Sequence, residues 1–561
     1  MHQLATLDYV VFFIYFIIVS GYGIWVYRRK TGHDGTVDGD SKDYFLAEGS
    51  LTWWAIGSSL IASNISAEQF VGMSGSGFKM GLAIATYEWM AAMTLIIVAV
   101  FFIPVYLKNH IFTMPQFLSQ RYNGTVAMIM AVFWLMLYVV VNLTSILYLG
   151  AIAVSSISGL NLSFCMYALA AFAIVITLGG MKVIGFTDVI QVFFLILGGL
   201  ATTYLALNLV AEHYGQSGVV AGFQQLTSQA GDHFHMIFNR DNPNYLDLPG
   251  LTVLLGGMWI VNLNYWGCNQ YITQRALGAD LPTARAGILF AAFLKLLMPV
   301  IVVLPGIAAY VLFKADVFGA TEFGEGANLN PDRAYPVLLN ILPIGLKGLS
   351  FAALTAAVVA SLAGKANSIA TIFTLDIYKK VMNPAASEKK MVVVGKIAVV
   401  VAMILGVLIA PFLGIDKKGG FQYIQEYTGF VSPGIFAMFI LGFFWKKTTS
   451  NAALFATIGG FLLSVLLKFL PGLMDLSFLA PVGFAVRNEA GVYEIPFLDR
   501  MGIVFVVCVL VMALISLLEN ARGVKTNGLE IDRTMFKTTR GFAIGAMAVA
   551  VIVTALYTIY W

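Results

Sequence analysis

Residues 57–66 read Gly-Ser-Ser-Leu-Ile-Ala-Ser-Asn-Ile-Ser, and residues 256–270 read Gly-Gly-Met-Trp-Ile-Val-Asn-Leu-Asn-Tyr-Trp-Gly-Cys-Asn-Gln. Both lie within long apolar runs, and both fill the middle of the run with small and polar residues. Such residues either let helices pack closely or mark a span interrupted to build a site at the midplane. The two runs are the second and the seventh along the chain, so each opens a set of five. Interruptions at corresponding places in two sets favour the site, and with it a duplicated helical fold.

Around these stretches the chain is overwhelmingly apolar: 59% hydrophobic and 11% charged over 561 residues, with a mean hydropathy of +0.84. A soluble domain carries about 25% charged residues, so this chain could not cover itself in water. A bilayer span needs about 20 mostly apolar residues. Fourteen stretches qualify: roughly 7–27, 53–79, 82–107, 124–155, 163–178, 187–211, 250–275, 285–313, 346–378, 392–412, 421–445, 451–470, 500–518 and 540–560. No long alternating strands occur, so every span is expected to be a helix that satisfies its own backbone. The expected fold class is an all-α integral membrane protein, one transmembrane domain over 1–561.

The first apolar run lacks a basic segment before it and is followed by Arg28, Arg29 and Lys30, the reverse of a cleavable signal. Those charges should hold the next loop in the cytoplasm. With spans then alternating, roughly two-thirds of the 33 Lys and Arg fall on that side, including Lys379, Lys380, Lys389, Lys390, Lys446, Lys447, Arg522 and Arg540. An even span count then puts both termini outside, in a multi-pass protein of the plasma (inner) membrane. The net charge of +4 is spread over these loops, so it reports topology and gives no reason to expect a nucleic-acid partner. Cys165, Cys268 and Cys508 are too far apart to suggest a disulfide framework or metal site. The loops near 212–249, 314–345 and 471–499 are long enough to carry short helices.

Ionisable groups in mid-membrane are expensive and usually face a cavity. Glu88, Lys295 and Lys365 lie deepest, with Asp188 at a helix start and Glu68 just after the first interruption. Gln69, Asn142, Asn262, Asn264, Asn269, Gln270 and Gln425 add amides. Amides both donate and accept, as sugar hydroxyls do, and Tyr87, Trp89, Tyr265, Trp266, Phe421 and Tyr423 offer faces for a sugar ring. The pattern suits a neutral polyhydroxyl solute. No His-Glu-x-x-His, Gly-x-Ser-x-Gly or histidine cluster suggests an integral membrane enzyme, and bulky aromatics at the site suit an occluding transporter better than a channel.

At this point the chain resembles the solute:sodium symporter family, most closely its bacterial sodium/galactose branch. The resemblance runs in order through Asp43-Tyr-Phe-Leu-Ala, Trp53-Trp54, Ala67-Glu-Gln-Phe-Val-Gly-Met-Ser-Gly-Ser-Gly, Tyr87-Glu-Trp, Thr187-Asp-Val-Ile-Gln-Val-Phe-Phe, Tyr265-Trp-Gly, Phe421-Gln-Tyr-Ile-Gln-Glu-Tyr and Trp445-Lys-Lys-Thr-Thr-Ser. It implies a LeuT-like core of two inverted five-helix repeats, 53–211 and 250–445, with peripheral helices in 1–30 and 451–561. It further implies a secondary active transporter carrying a hexose-like sugar by alternating access, as a monomer or weak homo-oligomer in the lipid bilayer. Carried over by position, the sugar ligands are Gln69, Glu88, Asn262, Lys295 and Gln425. Tyr265 closes the inner side, and Met73, Tyr87 and Phe421 form the outer lid. The chain departs from that branch at Ala91, where a serine is expected, and at Asn264, where an aromatic is expected; both put the preferred epimer in doubt.

The resemblance also implies Na⁺ as the co-transported ion and no organic cofactor. The ion would be held by backbone oxygens of Ala62, Ile65 and Ala357 and the hydroxyl of Ser361, with Asp188 on the route to the cytoplasm. A frequent second hydroxyl is Ala360 here. Lys365 lies one helical turn, about 6 Å, beyond Ser361, and helical side chains lean toward the amino terminus. Its ammonium is therefore expected to reach back, and to occupy or repel the sodium position. Two alternatives follow: sodium symport, or a sodium-independent or proton-linked sugar transporter in which Lys365 replaces the ion.

Overall fold

The computed structural model describes residues 4–31, 51–178, 180–324, 326, 329–412, 420–488 and 490–561. The Asp43-Tyr-Phe-Leu-Ala stretch lies outside the described residues. Each of the fourteen expected stretches carries helix. Among the described residues, nine helices are long and apolar enough to cross a bilayer, or ten when the bent pair Phe421–Gly429 and Ser432–Phe444 counts as one span; Thr6–Tyr22 and Leu162–Thr177 are shorter apolar helices. A minor surprise is an antiparallel two-stranded hairpin in the 471–499 segment, with Val486 opposite Glu494 and Arg487 opposite Tyr493.

Burial separates core from rim. In Leu346–Met382, 89% of the apolar window is enclosed by protein, against 28% in Phe497–Ala521 and 22% in Arg540–Ile559. The last two therefore present most of their surface to lipid. Close packing at the centre depends on glycine. A Cβ on Gly57 would stand 2.6 Å from the Gly287 carbonyl oxygen, and one on Gly287 would stand 2.8 Å from Ile56 Cβ. Helix Trp53–Asn64 can approach Leu281–Lys314 this closely only because neither position carries a side chain.

Both predicted interruptions are real. Helix Trp53–Asn64 ends at Ile65, whose backbone turns extended (φ −81°, ψ 102°). A new helix starts three residues on, and the sequence supplies its cap. Ser66 Oγ accepts from Glu68 N at 3.2 Å, while Gln69 Oε1 accepts from Ser66 N at 3.1 Å. This Ser-x-x-Gln box satisfies orphan donors at a depth where no bulk water can. The following turns, Glu68–Met73, are π-helical, a geometry that tends to occur at functional sites. Gly81, at φ +73°, then ends this helix, a conformation that glycine adopts without a Cβ penalty.

In the second interrupted span, helix Gly257–Gly267 stops at Cys268, and Gln270–Leu277 begins after Asn269. Tyr106 OH donates to the freed Gly267 carbonyl at 2.6 Å, and Tyr138 OH bonds the Asn269 side chain. A third break was not anticipated from the sequence: the chain bends by 52° between Phe421–Gly429 and Ser432–Phe444. Its signal is Ser432-Pro433-Gly434, because proline in a first helical turn needs no amide partner and disfavours helix in the residue before it.

Candidate functional site

The breaks bring four helices to one chain of polar contacts. Lys295, in Leu281–Lys314, donates to Glu88 Oε2 at 2.5 Å and also to the Asn64 side-chain oxygen. Asn64 Nδ2 in turn donates to Tyr265 OH at 3.2 Å. Lys295 lies 5.3 Å from the centroid of a Trp266 ring, within cation–π range. Glu88 and Lys295 are 2% and 1% exposed. A buried pair of this kind stands only when both charges are mutually compensated. It leaves a carboxylate that accepts and an ammonium that donates, with no net charge offered to a ligand.

Other expected ligands sit close in sequence to this chain but are tied elsewhere. Gln69 is engaged by Ser66 in the capping box, and Asn262 Nδ2 donates to Met258 O within its own helix at 3.1 Å. Gln425 is half-buried. Asn264, where the resemblance leads one to expect an aromatic, donates to Ser432 Oγ at 3.1 Å and so ties the second broken helix to the bend at 430–431. Met73, Tyr87 and Phe421 are fully packed. The Tyr87 and Phe421 rings meet edge to face at 5.0 Å, and a Cβ on Gly72 would lie 3.0 Å from Phe421 Cβ. Tyr87 and Phe421 are thus in direct contact.

Around the expected sodium position, Ser361 Oγ donates to the Ser63 carbonyl at 3.0 Å, joining Leu346–Met382 to the broken end of Trp53–Asn64. Ser63 Oγ donates to Ser59 O at 2.7 Å; Ser59 Oγ donates to Asp188 Oδ2 at 2.6 Å and accepts from Arg275 Nε at 2.9 Å. Asp188 Oδ1 is buried with no hydrogen-bond partner among the described residues. Helix ends expose carbonyls, so Ala62 and Ile65, flanking the break, have the backbone chemistry a hard cation requires. Ala357 lies one turn before Ser361.

Lys365 reaches across to Gly124–Ser158, where Nζ donates to Asn142 Oδ1 at 2.6 Å and lies 5.7 Å from the Tyr138 ring centroid. Helix geometry gave the face and the lean of this side chain, but a strong acceptor on a neighbouring helix decides where the ammonium ends. Glu68 acts on it as the opposing charge and Arg275 as a like one. Reading residue types alone flagged Ser59, Ser63 and Asn64 only as part of the polar stretch 57–66, without partners, and missed Tyr138 and Arg275. An arginine at the end of the seventh run was the available signal for the last of these.

Residues 44–460 match the model of a family described as the sodium:solute symporter family. The chain belongs to the sodium:solute symporter family. A sodium/glucose cotransporter of Vibrio parahaemolyticus is 46% identical, the alignment covering 100% of this chain and 99% of that one. Human sodium/myo-inositol cotransporter 2 is 35% identical over 82% of this chain and 69% of its own length. The solved structure of a Na⁺-coupled sialic acid symporter matches 92% of this chain and 98% of its own, with a TM-score of 0.73 at 20% identity. At that identity the likeness speaks for the fold alone: the symporter is a mostly helical membrane protein with a LeuT-like core. The names of the family and of these relatives describe transporters.

Proposed function

We propose that this symporter carries a hexose-like sugar of the galactose or glucose type, coupled to Na⁺, by alternating access between two inverted repeats, 53–211 and 250–445. The observation that supports this reading best is the buried Glu88–Lys295 pair with Asn64, one residue along the helix from the Tyr87–Phe421 contact. A neutral sugar bound there exchanges hydroxyls for the donors and acceptors of this chain while the paired charges stay compensated. Gln69, Asn262 and Gln425 supply further amide contacts, Tyr265 closes the inner side, and Met73, Tyr87 and Phe421 close the outer. Na⁺ binds the carbonyls of Ala62, Ile65 and Ala357 and the Ser361 hydroxyl, and leaves past Asp188. The peripheral helices in 1–30 and 451–561 support the core, both termini face outside the plasma membrane, and the protein works as a monomer or weak homo-oligomer.

The relatives' names, sodium/glucose and sodium/myo-inositol cotransporter, support a polyhydroxyl substrate and this ion. The position of Lys365 at Asn142 favours sodium over its replacement by a tethered ammonium. The test is uptake of labelled galactose and glucose into proteoliposomes, with an inward gradient of Na⁺ or of choline. Saturable uptake that requires Na⁺, with unaltered sugar recovered inside, is expected. Equal uptake in choline would refute sodium coupling, and chemically altered sugar would point to an enzyme.

A further inference from the structure

Leu346–Met382 carries two groups that bear on a cation one turn apart: Ser361, whose hydroxyl is tied to the broken helix, and Lys365, whose ammonium is tied to Asn142. Both are buried, at 1% and 5% exposure. The ammonium therefore cannot be screened by bulk water. The Asn142 amide fixes it with a neutral acceptor that leaves its charge intact, and the Tyr138 ring adds only a quadrupole. Glu68, just beyond the first break, is the charge that opposes it. Asp188 is already engaged by Ser59, which also binds Arg275. The neighbourhood of Ser361 thus holds a fixed positive charge beside it, balanced by an acid on a different helix.

We infer that Lys365 is an affinity-determining residue for sodium: held beside the ion's site by Asn142 rather than in it, its charge weakens Na⁺ binding and speeds Na⁺ release. The inference rests on the sodium site proposed above. Two unit charges about 6–8 Å apart at an effective dielectric of 20 repel enough to lower affinity about 30- to 100-fold. A site next to a buried ammonium fills only at high external sodium and empties readily into a low-sodium compartment. In a symporter whose turnover depends on ion release, that trade is useful. Glu68 moderates the effect, so the Lys365–Glu68 balance sets the working range of sodium.

The test is sodium-dependent galactose uptake by the full-length protein in proteoliposomes at saturating sugar, alongside ²²Na⁺ binding to the detergent-solubilised protein, for the parent, K365M, K365R, E68Q and S361A. K365M should lower the half-saturating Na⁺ concentration about 30- to 100-fold, K365R should stay within about threefold of the parent, and E68Q should raise it. Slower turnover in K365M at high internal Na⁺ is expected as well. Should K365M fail to assemble, K365Q keeps an N–H donor for Asn142 and gives the same readout. A neutral variant whose half-saturating Na⁺ lies within threefold of the parent overturns the inference. If S361A also keeps the parental sodium dependence, it is the proposed site that fails; if S361A loses it while the neutral variant is unchanged, the site stands and only the role of Lys365 falls.

Discussion

Replacing either member of the Glu88–Lys295 pair should have unequal consequences, and the inequality can be worked out from the contacts. In Lys295→Met the Glu88 carboxylate, 2% exposed, loses the ammonium bound to it. Stranding a buried charge in this way costs about 3–5 kcal/mol. In Glu88→Gln the ammonium keeps the Asn64 oxygen and the Trp266 face, and the glutamine amide still offers an acceptor. The loss is then about 1–3 kcal/mol, the range for weakening a charge-assisted hydrogen bond. In the double variant no charge is stranded, so it should be more stable than Lys295→Met alone, which requires a coupling larger than the about 1–3 kcal/mol cost of Glu88→Gln. The assay is the thermal midpoint of detergent-solubilised protein at fixed scan rate, with and without galactose. The expected order is parent, Glu88→Gln, double variant, Lys295→Met, and ligand stabilisation should be lost in all three variants. A double variant no better than the sum of the singles would show that the two groups do not act as a pair.

Phe421→Ala removes the edge-to-face contact with Tyr87, worth about 0.5–1.5 kcal/mol beyond its area; sugar bound at equilibrium should then dissociate several-fold faster, and an unchanged off-rate would argue against the lid. Glu426 lies next to Gln425 on the short helix Gly420–Gly429 and binds Lys468 as well as Arg500 Nη2, the latter at 2.6 Å. Glu426→Gln should therefore free that helix from two peripheral helices and raise the KM for sugar with a smaller change in kcat, and Glu426→Asp should restore part of it. His233 stacks on Tyr310 at 4.0 Å and bonds Phe78 O at 3.1 Å, and burial holds its pKa below the usual 6.5. The folded state thus resists protonating it, so its contribution is present above pH 6.5 and is lost as pH falls below that value. The thermal midpoint should drop between pH 7 and pH 5.5, and drop less in His233→Phe.

The parts of the fold that follow from local chemistry were readable before any coordinates. Apolar length marks the spans, and Ser66-Ala-Glu-Gln69 is a capping box in the chain as written. The break at Cys268–Asn269 lies inside the polar stretch that foretold it. The bend after Gly429 had a signal, Ser432-Pro433-Gly434, that is easily lost inside an apolar run. Partnerships between distant residues were another matter. Glu88 and Lys295 each stood out as intramembrane charges, yet Asn64 joins them only because its side chain, at the first break, meets Lys295 in Leu281–Lys314, which residue type alone does not reveal.

Lys365 shows where such reading stops. Periodicity fixed the face of the helix, and the lean of helical side chains fixed a direction along it; both led to Ser361, four residues earlier. Neither contains the rotation about the helix axis at which a neighbour supplies an acceptor. Asn142 is 223 residues away in sequence and meets Lys365 only through the packing of Gly124–Ser158 against Leu346–Met382. An ammonium on a flexible four-carbon stem follows the best buried acceptor, so a single amide on the adjacent helix draws the charge toward that helix. The same residue would replace sodium in the first arrangement and tune its affinity in the second. Asn142→Leu should then be the revealing variant: without its acceptor the ammonium is free to swing toward Ser361, and sodium dependence of uptake should weaken far more than in K365M, where no charge remains to compete.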